Sequence, residues 1–234
     1  MSKYSVFNKE VKLLEYFVSD SFRTEHPRAK DVDRLLNKLY DLTDNHRLNS
    51  FSYLMKGVGS SSRAKKIISF YLLGALCNPP QPEDDPEIIK SATRACAAEA
   101  LKPDCEDLIL EAILYSFIHD VDSVEAYPAI SKAMNHNNNY IRLLATKAMG
   151  AHLNDEFLPE KGLKQLIEAT DDKYAEIRDW AIFNLAQMVD IYKVKRPDIR
   201  QAFIKHARDR YYPAREEALV GLSYLKDPEG LEYL

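Results

Sequence analysis

Apolar residues recur along this chain at the 3.6-residue helical period, punctuated by short polar turns. The pattern predicts about twelve helical segments grouped into six hairpins. The first pair spans 7–19, with Val11, Leu14, Phe17 and Val18 apolar, and 27–40, where Pro27 suits a first helical turn with His26 near its cap. The second covers 46–58 and 62–77, the latter carrying Ile67, Ile68, Tyr71, Leu72 and Leu76. The remaining pairs are expected at 86–101 with 106–119, 123–134 with 139–152, 159–169 with 175–190, and 198–208 with 213–225. A final Asp227-Pro228-Glu229 start leads into Leu231, Tyr233 and Leu234, so a short terminal helix is expected there.

One stretch interrupts the periodicity. Residues 78–86 hold four prolines and the acids Glu83, Asp84 and Asp85, the composition of an extended surface loop ending at a helix start. The expected organisation is N-terminal helical pairs over 1–77, this acidic Pro-rich loop over 78–86, and repeats over 87–234 continuous with the N-terminal part.

Self-similarity sharpens the picture. Ile141-Arg142-Leu143-Leu144-Ala145, Ile177-Arg178-Asp179-Trp180-Ala181 and Ala214-Arg215-Glu216-Glu217-Ala218 align at spacings of 36 and 37 residues, and each has an apolar residue four positions on: Met149, Leu185 and Leu222. Leu108-Ile109-Leu110-Glu111-Ala112 is a weaker copy without the arginine. Asp172 and Asp209 stand five residues before Ile177 and Ala214; His136 takes that place before Ile141. A two-helix hairpin cannot bury its apolar face alone, so copies stack and share a core, and small alanines let helix axes approach.

A turn aspartate followed by an apolar-Arg-x-x-Ala helix opening resembles the HEAT repeat. Residues 135–226 in particular are similar to bacterial HEAT-repeat proteins of undefined role. The resemblance implies an all-α fold, an α-α superhelix or HEAT-like solenoid of about six antiparallel pairs, whose second helices line a concave surface. It also implies a structural ladder between neighbouring repeats, carried here by Arg142, Asp172, Arg178, Asp209 and Arg215. His136 to Asn139 depart from the aspartate turn, and the arginine is missing from the third pair.

Composition agrees with a folded helical chain: 46% of residues are hydrophobic, 29% charged, and only 7 of 234 are glycine. The net charge of -4 argues against a generic nucleic-acid or membrane-surface binder. Cys77, Cys96 and Cys105 are an odd number without a Cys-x-x-Cys pair, and neither a signal-like apolar region nor a run of about 20 apolar residues occurs. The sequence therefore reads as cytoplasmic, without a membrane association.

No Gly-x-Ser-x-Gly elbow, His-x-x-x-His or His-Glu-x-x-His pair is present, and no catalytic residue, cofactor or metal is expected. His119 beside Asp120 and Asp122 comes nearest to a metal cluster, but a histidine at a helix C-terminus is the favoured explanation. Gly57-Val58-Gly59-Ser60-Ser61-Ser62-Arg63 reads as a serine-capped turn more readily than as a phosphate loop, since no Walker spacing closes it.

Charge is uneven. Between Tyr192 and Arg215 lie Lys193, Lys195, Arg196, Arg200, Lys205, Arg208, Arg210 and Arg215 against only Asp198 and Asp209, a local balance of +6. Tyr192, Tyr211 and Tyr212 interleave with them. Three readings stay open: solvated turns, a basic rim for a protein partner, or a nucleic-acid grip. Trp180, the only tryptophan, fits core packing with Ile177, Ala181 and Asn184. By analogy with alkylpurine DNA glycosylases, which use HEAT-like stacks, Asp179-Trp180 could instead meet a DNA lesion; the acidic chain disfavours this.

The sequence thus predicts a binding scaffold with a protein partner, the basic rim being Lys193, Lys195, Arg196, Arg200, Arg208, Arg210, Tyr211 and Tyr212. A monomer or weak self-association through the solenoid ends is expected, because terminal Leu231, Tyr233 and Leu234 resemble an uncapped end.

Overall fold

The computed structural model describes residue 34 and residues 47–76, 86–118, 123–153 and 159–233. Apart from residue 34, the expected first hairpin lies outside the described residues, as do the Pro-rich loop up to residue 85 and His119 with Asp120 and Asp122. Among the described residues there are ten α-helices and no strand: α1 Arg47–Val58, α2 Arg63–Leu76, α3 Pro86–Ala100, α4 Asp107–Ser116, α5 Ser123–Ala133, α6 Asn139–His152, α7 Glu160–Ala169, α8 Ala175–Tyr192, α9 Pro197–His206 and α10 Tyr212–Leu225. The terminal element is a 3-10 turn, Pro228–Tyr233. None of these helices is long and apolar enough to cross a membrane.

The chain forms two compact units, one ending at Ala126 and the other beginning at Tyr127, so the division falls inside α5. In the first unit α2 packs on α1 and on α4. Gly74 makes the second contact possible, since a β-carbon there would lie 2.4 Å from Ser116 Cβ. Tyr71 and Tyr115 stack across the same seam with ring centroids 4.5 Å apart. Leu54, Ile67, Ile68, Phe70, Leu72, Ile113, Leu114 and Phe117 are buried around it. The glycine-serine turn caps α2 as a serine turn does: Ser62 Oγ accepts from the Lys65 N–H at 3.4 Å.

In the second unit the second helices of successive hairpins pack on one another, α6 on α8 and α8 on α10. The sequence repeat explains why. Ile141, Ala145 and Met149 of α6, Ile177, Ala181 and Leu185 of α8, and Ala214, Ala218 and Leu222 of α10 are all buried at equivalent stripes. Close approach is set by small residues. A β-carbon on Gly150 would meet Asn184 Cγ at 2.0 Å, and one on Gly221 would meet the Phe203 ring at 2.6 Å. Burying each Leu or Ile side chain contributes about 1.5–3 kcal/mol, so the shared seam accounts for the coherence of the stack.

The hairpin turns are built alike. Asp172 Oδ1 accepts from the Tyr174 N–H at 2.9 Å, and Asp209 Oδ1 from the Tyr211 N–H at 2.8 Å. His136 performs the same local task with a ring nitrogen: Nδ1 accepts from the Asn138 N–H at 3.1 Å. Asn138 then caps α6 through the Tyr140 N–H. Helices α8 and α10 end on left-handed residues, Lys193 and Lys226, both with φ of 55°.

Candidate functional site

The ladder positions meet across neighbouring hairpins. Arg142 of α6 donates to Asp172 with Nε to Oδ2 at 2.8 Å and Nη2 to Oδ1 at 3.1 Å, while Nη1 reaches the carbonyls of His136 and Asn137. Arg178 of α8 repeats the arrangement on Asp209, with both side-chain bonds at 2.8 Å and Nη1 on the Asp172 carbonyl at 3.0 Å. Each arginine thus staples its own turn and the next one, a planar fork suited to this two-point contact. Arg178 holds the Asp209 carboxyl well below the usual carboxylate range, assisted by the Tyr211 N–H and His206. Burial raises Asp172, but the bonds from Arg142 and the Tyr174 N–H outweigh it and the net direction is down. Arg215 donates to the Asp209 carbonyl at 2.9 Å and lies over the Tyr212 ring, with no carboxylate partner among the described residues.

The basic segment is largely neutralised by the chain itself. Arg196 binds Asp198 and Glu160, and Arg200 binds Asp227 and Glu229. Lys193 lies 3.6 Å from Asp190, and Lys205 2.5 Å from Asp171. Tyr212 is 57% exposed but its hydroxyl is committed to Glu216. Lys195 and Arg210 are exposed and make no ion pair among the described residues; Arg208 is also exposed. Of the expected rim, Lys193, Arg196 and Arg200 are thus paired within the chain. The long-range pairings were not legible in the sequence, because Glu160 lies 36 residues from Arg196 and Asp227 lies 27 from Arg200; only Asp198, two residues from Arg196, was in local reach.

Trp180 is the second correction. It is half-buried, not core: Ile177 and Ala181 take the buried stripe, and Trp180, one position before Ala181, is rotated off it. Its ring receives the Lys147 ammonium from α6 at 4.3 Å and meets Phe183 edge-on at 5.4 Å. Beside it stand carboxylates that no ion pair neutralises among the described residues. Burial and the charge of Glu176 push Asp179 up despite the pull of Lys147. Burial and the charges of Asp179 and Glu216 push Glu217 up. Val220 and Tyr224 of α10, at helical spacing from Glu217, are exposed apolar neighbours on that stripe. Sequence reasoning offered Asp179-Trp180 only as an alternative contact and missed the neighbouring Glu217, Val220 and Tyr224 of α10; the signal was the polar, aromatic face left over beside the buried alanine stripe.

No protein-family model matches the sequence. A segment of 69 residues is 36% identical to Protein YibA of Escherichia coli K12 and to its O157:H7 counterpart, covering 30% of this chain and 23% of theirs. The chain therefore spans under a quarter of those relatives in this match. The X-ray structure of E. coli YibA superposes with a TM-score of 0.59 at 16% identity, over 99% of this chain and 78% of that one. A designed armadillo repeat protein in complex with the peptide (KR)4 gives 0.60 at 14% identity, over 93% and 98%. The fold is the HEAT and armadillo helical-repeat solenoid. Pds5 in its complex with Scc1 shares it too, with a TM-score of 0.51 at 14% identity over 99% of this chain and 40% of that one. Solenoids of this type present long exposed helix faces, and among the described residues of this chain the second-helix face is where unpaired charge and exposed aromatic surface coincide.

Proposed function

We propose that this chain is a non-catalytic, cytoplasmic scaffold that binds a basic segment of a partner protein along the exposed stripe of α6, α8 and α10. The observation that carries the reading is the Trp180 face. It already holds one ammonium, that of Lys147, and is flanked by Asp179 and Glu217, two half-buried carboxylates that repel each other. A partner lysine or arginine would relieve that repulsion and find aromatic surface beside it. The designed armadillo protein that shares this fold was solved with (KR)4, which supports a cationic peptide as the class of ligand. Lys195 and Arg210 would flank such a site as a small basic rim suited to acidic residues of the same partner.

The nucleic-acid alternative is disfavoured by the same geometry. A base stacking on Trp180 would bring phosphates toward Glu176, Asp179 and Glu217, and the arginines that would attract them are spent on Glu160, Asp198, Asp227 and Glu229.

Trp180 is the only tryptophan, so its emission reports directly on the surface. Titration with a Lys-Arg repeat peptide should change that emission saturably, more weakly at high salt, and the paired substitution Asp179→Asn and Glu217→Gln should weaken binding about tenfold or more. An unchanged emission, or equal binding of a Glu-rich peptide, would remove the reading.

A further inference from the structure

Corresponding positions of the last two hairpins differ by 37 residues, and their turns differ from the preceding one by 36. That register permits a side-chain comparison of two successive inter-repeat junctions. At the α9 end of the last junction His206 is 5% exposed and sits between two acids: Nδ1 is hydrogen-bonded to Asp209 Oδ2 at 3.0 Å, while Nε2 lies 3.3 Å from Asp171 Oδ1 without hydrogen-bond geometry. Phe203, three residues earlier on α9, and Ile182 of α8 are fully buried.

One repeat earlier the histidine position is Ala169, and the Asp171 position is Asn135. Here a cavity of about 470 Å³ opens, lined by Asn135, His136, Arg142, Gln165, Ala169 and Asp172 among others. Gln165 does not fill it, because its amide is committed to Ser131 at both ends, with Oε1 accepting from Oγ at 2.8 Å and Nε2 donating to the carbonyl at 2.9 Å. Asp172 Oδ2 accepts Arg142 Nε as Asp209 Oδ2 accepts Arg178 Nε, but it lacks the imidazole contact that Asp209 has. Thr146, which lines the cavity, stands in the register where Ile182 does and carries a smaller side chain.

We propose that this cavity is a binding site for an imidazole ring, supplied either as a small molecule or as a histidine side chain of a partner. The ring takes the place that His206 occupies one repeat on. One nitrogen donates to Asp172 Oδ2, the other faces the Asn135 amide, and the ring faces contact Ala169 and Ile177. The cavity is larger than one ring, but it includes the space that the His206 ring fills one repeat on, and a space left by a deleted side chain can accept a small ring of the same kind. The proposal does not depend on the scaffold reading, since the Trp180 face and this junction share no residue.

The test is an amide-shift titration of the full ¹⁵N-labelled chain with imidazole at fixed pH and chloride. Expected are saturable shifts confined to Asn135, His136, Ala169 and Asp172, with a midpoint near 1 mM, as suits a five-atom ligand. Ala169→His supplies the ring from the chain itself, abolishes those shifts and raises Tm by about 2–4 °C. Ala169→Met occupies the ring's place without ring nitrogens and also abolishes binding, which keeps the test usable should the histidine variant fold poorly. His206→Ala opens a second, equivalent site, so imidazole then shifts residues around Asp209 as well. A tighter midpoint for acetyl-Gly-His-Gly-amide than for imidazole identifies a partner side chain as the source; the reverse order identifies a small molecule. Shifts that stay linear to tens of millimolar, or that persist in both Ala169 variants, overturn the proposal.

Discussion

Arg178 grips Asp209 with two hydrogen bonds of 2.8 Å, and the Asp209 side chain is only 6% exposed. Truncating the arginine leaves a nearly buried carboxylate with the Tyr211 N–H and His206 as its remaining partners. Arg178→Ala should therefore cost about 3 kcal/mol in urea unfolding, the scale for removing one partner of a buried pair. Arg94→Ala, at a pair whose arginine is 59% exposed, should change stability little. Equal losses at the two sites would mean that the inter-repeat staple contributes nothing special.

The same acids set a pH dependence with a definite sign. Asp209 and Asp172 titrate below their unfolded value of about 3.9, so the stability they contribute is present above that value and disappears as pH falls through their folded values. Asp179 and Glu217 are shifted upward, so they bind protons in the folded state first and add stability as pH falls toward about 4. Thermal unfolding across pH 3–7 should show a gain on mild acidification and a steep loss below about pH 4. Asp179→Asn should raise Tm at pH 7 and reduce that gain; a lowered Tm would show that the Lys147 attraction outweighs the repulsion.

What the sequence made legible was whatever repeats. The 36- and 37-residue spacing sets the register in which Ile141, Ile177 and Ala214 are all buried, and most helix limits came within about two residues, as where 198–208 was expected and Pro197–His206 is found. The surface was harder to read, because its properties depend on exchanges between distant positions. Arg196 looks open until Glu160 is placed beside it, and Ala169 looks ordinary until its register partner proves to be a buried histidine. Trp180 shows the limit of periodicity: one residue, or about 100° of helix, separates the Ala181 stripe from the exposed face.

Gly221 is enclosed by the Phe203 ring, whose nearest atoms would lie 2.6–2.7 Å from an added β-carbon. Alanine gains about 1 kcal/mol of helix propensity over glycine, whereas overpacking a filled core costs about 1–3 kcal/mol. Phe203 is fully buried and its ring cannot swing aside, so the clash should win. Gly221→Ala is expected to destabilise α10 by about 1 kcal/mol net, and adding Phe203→Leu should recover part of that loss. A stabilised single variant would show that the α9–α10 approach is looser than the contact distances indicate.

Charge reversal in the basic segment separates structure from recognition. Arg196 and Arg200 each hold two carboxylates, and Arg200 ties the terminal 3-10 turn to α9 through Asp227 and Glu229. Reversing them creates repulsion inside the fold, so Arg196→Glu with Arg200→Glu should lower Tm and increase hydrogen exchange at the Gly230 amide, which bonds the Asp227 carbonyl. Lys195→Glu with Arg210→Glu touches no ion pair among the described residues and should leave Tm and exchange unchanged. A partner whose capture is lost with the second pair at unchanged stability uses the rim directly; loss confined to the first pair reports only a damaged C-terminal hairpin.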